Sequence, residues 1–83
     1  MKNYTKVYLD YFGYDISDFI HCEVCGKRAI DINHIQARSI RKDLLNDITN
    51  LMAMCREDHI KYGDKKQYRE YLQNIHNQKL NNV

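Results

Sequence analysis

The 83-residue sequence has no proline, no tryptophan and only three glycines. No Ser/Gly/Pro-rich stretch offers the composition of a flexible linker or a disordered tail, and no segment repeats another. No apolar run approaches the ~20 residues that a membrane-spanning helix needs. The opening Met1-Lys2-Asn3-Tyr4-Thr5-Lys6 leads into a segment broken by Asp10, Asp15 and Asp18, a pattern that does not look like a secretion signal and leaves the cytoplasm as the expected compartment. Three cysteines are an odd number. Without a secretory context, a Cys-x-x-Cys pair with a distant third partner reads as metal chemistry rather than as a disulfide framework.

Apolar residues make up 43% of the chain and tyrosine occurs seven times, enough for one globular unit over residues 1–83. A chain this short buries little apolar surface, so a staple is expected. Charge is unevenly distributed. Residues 1–26 carry two lysines against four acids, a net of −2, whereas residues 27–83 carry eleven basic and seven acidic side chains, a net of +4. A phosphate backbone would be drawn to the second part, although a solvated surface explains such charge equally well.

The pattern predicts a helix, a metal knuckle, a hairpin with a long loop, and one or two closing helices. Tyr4, Val7, Tyr8, Tyr11 and Phe12 recur at helical spacing within an N-terminal helical scaffold over 1–20, and Gly13 can end the helix in the left-handed region. Cys22-x-x-Cys25-Gly26 is a tight turn that presents two thiols to one centre. Residues 28–35 alternate as a strand, 36–49 form a polar loop into which Leu44 and Leu45 tuck a short helical turn, and 50–54 form the returning strand. A helix should begin near Arg56 and stop around Gly63. Asp64 is the expected N-cap of a last helix over 64–80, with Tyr68, Tyr71, Leu72, Ile75 and Lys79 on its apolar face and His76 towards solvent.

A second pair, Cys55-x2-Asp58, stands just beyond the hairpin. Brought against Cys22 and Cys25, it would complete the four tetrahedral ligands of a structural zinc. His21 or a water could replace Asp58 as the fourth ligand. A knuckle held by packing alone and a redox role for Cys22 and Cys25 are the alternatives.

Asp31-Ile32-Asn33-His34-Ile35 places a histidine at the end of a strand-like run, with Asn50-Leu51 sixteen positions after His34 and His59 nine positions after Asn50. Asn-His-Ile, Asn-Leu-x-x-x-Cys and the following histidine, in that order, resemble an HNH nuclease, the ββα-metal (His-Me finger) type of phosphodiester hydrolase. The cysteine frame is similar to that of small phage recombination-type nucleases. The resemblance implies an α+β fold, with a knuckle and ββα core over 22–62 between an N-terminal and a C-terminal helix. It also implies an endonuclease that cuts DNA, by nicking if one centre acts alone and by paired cuts in a homodimer, in a bacterial or phage-infected cell.

Cutting a phosphodiester needs a base near neutral pH and positive charge at the phosphate and the leaving oxygen. Histidine, with a pKa of about 6.5, suits the first task, and His34 is the candidate base. By resemblance, Asn33 and His59 would hold Mg²⁺, and Asn50 would tie the loop so that His34 keeps one orientation. Many family members carry a fourth cysteine where this chain has Asp58, and an Asp or His where it has Asn33. Neutral Asn33 should weaken Mg²⁺ binding and favour Mn²⁺ or Ni²⁺ through His59, unless Asp31, on the same strand face, supplies the carboxylate. Strict alternation sets Asn33 and His34 on opposite faces, so sharing one site requires a strand end or a bulge. Arg38, Arg41 and Lys42 in the loop are candidate nucleic-acid contacts. The competing readings are an inactive HNH module that only binds nucleic acid, and a zinc-stapled protein-interaction domain.

Overall fold

The computed structural model describes residues 2–82. Helix α1 spans Asn3–Phe12, strand β1 Asp31–His34, strand β2 Leu51–Met54, helix α2 Arg56–Tyr62 and helix α3 Arg69–Asn81. The two strands form one antiparallel hairpin in which Asp31 faces Met54, Ile32 faces Ala53, Asn33 faces Met52 and His34 faces Leu51. The chain is a small α+β protein of three helices and a two-stranded sheet among the described residues.

All four residues of β2 are fully buried, because the hairpin is covered on both faces. Leu51 and Ala53 pack against Tyr8 of α1, with Val7, Phe12 and Ile32 around them. Met52 and Met54 pack against Leu72 of α3, together with Ile35, Cys22 and Cys55. The alternation expected from the sequence is therefore real, but it separates two apolar cores rather than a core from solvent.

Helix α1 ends at Gly13, whose φ of +73° is the left-handed closure expected there, and the Tyr14 N–H reaches back 2.8 Å to the Leu9 carbonyl. The helix is shorter than the 1–20 scaffold: residues 14–20 continue as turns and extended chain. Of its tyrosines, Tyr8 is fully buried but Tyr11 is exposed. The strands are shorter than expected as well, since residues 28–30 and Ile35 fall outside the ladder. Leu44 and Leu45 do lie half-buried, at the end of a 3₁₀ turn spanning Lys42–Leu44.

Two expectations fail in the last third of the chain. Asp64 does not cap α3, because its φ of +58° puts it in a left-handed corner and the helix begins at Arg69 after a 3₁₀ turn. His76 does not face solvent. It is fully buried, one helical turn beyond Leu72 on the face that packs inward.

The reason is a carboxylate in the core. The Glu23 side chain, between the knuckle cysteines, is 2% exposed. Its Oε2 accepts the Tyr8 hydroxyl proton at 2.5 Å and the Ala53 N–H at 3.1 Å, while Oε1 stands 2.7 Å from Nδ1 of His76. The other His76 nitrogen, Nε2, donates to the Ile48 carbonyl at 2.6 Å. Burial, and then the adjacent carboxylate, push the Tyr8 hydroxyl far above the ordinary tyrosine range. Four separate segments are thus tied to one buried group. Truncation in His76→Ala strands that carboxylate without its ring partner and should cost about 3–5 kcal/mol of stability, read as a lower urea midpoint with the m-value unchanged.

Candidate functional site

A groove of about 720 Å³ lies beside β1, whose other edge pairs with no strand among the described residues. Asp31, Asn33 and His34 of β1 line it together with His59 of α2, Asp64, Arg38 of the loop, and Lys2 and Tyr4 at the start of α1. Its lining includes Ile32 and His34 from one face of β1 and Asp31 and Asn33 from the other. That resolves the opposition of Asn33 and His34 without a bulge.

His34 is 7% exposed, and its Nε2 lies 3.0 Å from the Leu45 carbonyl. A carbonyl can only accept, so the Nε2 proton donates and Nδ1 is left as the lone-pair nitrogen. Burial is the main cause that holds the His34 pKa below its ordinary value, with the Leu45 bond opposing it and the Arg38 charge adding to it. The ring is therefore neutral at pH 7. Asn50 secures the loop that supplies the carbonyl. Its Oδ1 accepts the Gln36 N–H at 2.8 Å, and its Nδ2 donates to the carbonyls of Gln36 at 3.1 Å and Leu44 at 3.4 Å. One buried amide closes the loop at its beginning and near its end.

On the opposite strand face, Asp31 engages α2. Its Oδ2 accepts from His59 Nδ1 at 3.0 Å and from Arg56 Nε at 2.8 Å, and Oδ1 accepts from Arg56 Nη2 at 3.1 Å. Burial raises the Asp31 carboxyl, but the bonds from Arg56 and His59 outweigh it and hold the group below its ordinary value. With Nδ1 donating, Nε2 of His59 is the nitrogen left for a ligand, the arrangement in which a carboxylate orients a metal-binding imidazole. Gly63 lies against this ring. A Cβ at position 63 would stand 2.5 Å from His59 Cδ2 and closer still to the His59 carbonyl oxygen, at an ordinary negative φ. Space, not backbone freedom, demands glycine here.

Asn33 is 1% exposed, and neither its Oδ1 nor its Nδ2 has a hydrogen-bond partner. A buried amide with both ends unsatisfied is costly, and here it lines the groove that holds His59. That is the condition expected of a side chain whose partner is a ligand.

The second cluster lies beyond the groove. Ligand atoms of Cys22, Cys25, Cys55 and Asp58 all lie within 4.8 Å of one another. Asp58 Oδ2 is 3.3 Å from the sulfurs of Cys22 and of Cys55, and the Cys25 and Cys55 sulfurs are 3.7 Å apart. A tetrahedral ion with bonds of about 2.3 Å to sulfur and about 2.0 Å to oxygen would have edges of about 3.8 Å and 3.5 Å, so the four residues fit a metal ion. Hydrogen bonding to the Asp58 carboxylate pushes the Cys25 thiol up to about 12, since a thiolate there would face that negative charge. The knuckle turns as expected, with Gly26 at φ +81° and its N–H 2.9 Å from the Cys22 carbonyl. His21 stays outside: its Nδ1 bonds the Gly26 carbonyl.

An HNH endonuclease family model matches residues 22–65, more than half of the 83. The chain belongs to the HNH endonuclease family. Comparison with curated proteins and with solved structures yields no match. Membership makes this HNH protein a nuclease or nucleic-acid-binding module that binds metal. The match takes in the knuckle, the hairpin, α2 and Asp64, and leaves α1 and α3 outside. Among the described residues, no helix is long and apolar enough to cross a membrane.

Of the residues singled out from the sequence, Asn33, His34, His59 and Arg38 line the groove, Asn50 braces its wall, and the four knuckle residues form the separate cluster. Arg41 and Lys42 do not line it, and Arg41 is engaged by Asp43 through two bonds of 3.0 and 2.8 Å. Sequence reading missed Glu23, Tyr4 as a groove residue, and the packing role of Gly63. Substitution of Gly63 by alanine should displace the His59 ring and cost about 1–3 kcal/mol, seen as a lower melting temperature together with shifted His59 ring resonances.

Proposed function

We propose that the groove hydrolyses DNA phosphodiester bonds, with His34 as general base and with Asn33 and His59 holding a divalent cation. The observation that carries this reading is the tautomer of His34. Its Nε2–H is committed to the Leu45 carbonyl, its Nδ1 is bare, and the ring is neutral near pH 7 in a groove edged by Arg38. A water in the groove loses its proton to Nδ1, the resulting hydroxide attacks phosphorus, and the bond from phosphorus to the 3′ oxygen breaks. Mg²⁺, Mn²⁺ or Ni²⁺, when bound, supplies positive charge to the phosphate and to the leaving oxygen. The orphaned amide of Asn33 and the unbonded Nε2 of His59 are the groups that fit such an ion. Asp31 orients His59, and Arg38 holds the phosphate. One such proposed centre per chain favours nicking.

The cysteine cluster is proposed to hold a structural Zn²⁺ through Cys22, Cys25, Cys55 and Asp58, the staple that a chain of this size calls for. A strong chelator should then lower the melting temperature, and Asp58→Cys should raise the chelator concentration needed. Melting curves with and without chelator decide it. Equal curves would discard the zinc.

A second reading draws on neutral Asn33, which offers Mg²⁺ no negative charge: a module that binds nucleic acid without cutting it. Incubation of supercoiled plasmid with each of the three catalytic ions separates the two. The nuclease relaxes plasmid, and His34→Ala at unchanged melting temperature lowers the rate by about 10²–10⁴-fold. Because the base acts deprotonated and burial lowers its pKa, the rate should persist below pH 6.5 and fall only as pH drops through that depressed value. Plasmid bound but intact with every ion would favour the binding module.

A further inference from the structure

The start of α1 lies outside the residues that define the family match, yet Lys2, Tyr4 and Thr5 line the groove beside His34. The rings of Tyr4 and His34 meet nearly at right angles, 76° apart, with centroids separated by 4.6 Å. The same tyrosine ring has the Arg38 guanidinium carbon 5.9 Å from its centroid and the Lys2 ammonium at 5.6 Å. Tyr4 packs against the edge of the core formed by Tyr8, Leu51 and Ala53 and also lines the groove. Tyr8 and Leu9 are buried, whereas Tyr4, one turn earlier, is half-buried at the rim of the groove.

His34 needs two restraints to be held in one pose. The Leu45 carbonyl fixes one nitrogen, but an imidazole with a single hydrogen bond can still swing about it. An aromatic partner fixes the plane of the ring. A cation over the face of that partner is held too, and in Arg38 that cation sits four residues after the histidine.

The geometry points to Tyr4 as a positioning residue for phosphodiester cleavage: its ring holds the His34 imidazole in plane and Arg38 beside it, so a helix outside the family core completes the groove. The inference rests on His34 acting as the base. A leucine fills similar volume at position 4 but gives the imidazole no aromatic partner and the guanidinium no π-face. The contacts of Tyr4 run through its ring, so phenylalanine should serve as well as tyrosine.

The test compares the wild type with Tyr4→Phe and Tyr4→Leu on supercoiled plasmid, at a temperature where melting curves show all three folded. Tyr4→Phe should cut within about twofold of wild type, while Tyr4→Leu should lose about tenfold or more in kcat with a smaller change in KM. Unchanged kcat in the leucine variant, or an equal loss in the phenylalanine variant, would overturn the role. A readout independent of cutting is the ¹⁵N spectrum of the His34 ring in the free protein. It should show the Nε2–H tautomer in wild type and Tyr4→Phe and a mixture in Tyr4→Leu, and identical spectra would also overturn it. A wild type that never cuts defeats the proposed reaction instead, and the ring spectrum still decides whether Tyr4 positions His34.

Discussion

The rest of the structure depends on how one buried carboxylate is satisfied. Glu23 lies under the knuckle, where ionised oxygen would be expelled from an apolar core unless hydrogen-bond donors surrounded it. Tyr8, the Ala53 amide and His76 provide them, from α1, β2 and α3 respectively. Each donor has a place in the core for another reason. Tyr8 packs on Leu51 and Ala53, and His76 follows Leu72 by one turn on the packed face of α3. Apolar packing and polar satisfaction therefore select the same arrangement of helices, and neither helix can shift without exposing or stranding the charge.

The two halves of the molecule are linked through this arrangement. The knuckle that carries Cys22 and Cys25 also carries Glu23, so the turn at the metal-type cluster is locked to the hairpin by the exchange between Glu23 and Ala53. On the hairpin, β1 then presents Asp31 to α2 and His34 to the loop closed by Asn50. The groove is the outcome of these fixed positions. Its buried Asn33 amide has neither end hydrogen-bonded, and near it stand the bare Nδ1 of His34 and the unbonded Nε2 of His59.

What could be read from the chain beforehand follows the physics of each signal. The α+β class, the turn at Cys22-x-x-Cys25-Gly26, the stop at Gly13 and the hairpin of Ile32 with Leu51 and Ala53 are all written in local periodicity and turn chemistry. The gathering of Cys55 and Asp58 with the first two cysteines was legible because ligand spacing is a local property of each pair. Non-local pairings were not legible: nothing in the local pattern singles out Glu23, and His76 looked solvated because a polar residue on a helix usually is. A signal did exist for His76, since it falls four residues after Leu72 on the apolar stripe. Asp64 misled for the opposite reason. Its residue type suits an N-cap, but it equally tolerates the left-handed corner that it occupies. Gly63 was read as a helix stop, whereas the demand for it comes from the His59 ring pressed against it.

The Glu23 pocket also bears on modularity. The family-defining stretch from 22 to 65 contains the charge but neither of the side chains that neutralise its burial, for Tyr8 precedes it and His76 follows it. That stretch carries the matched chemistry, but its buried carboxylate is satisfied by side chains from outside it. Grafting it onto another scaffold would require an apolar residue in place of Glu23, or a host that happens to offer a hydroxyl and an imidazole at the same two positions.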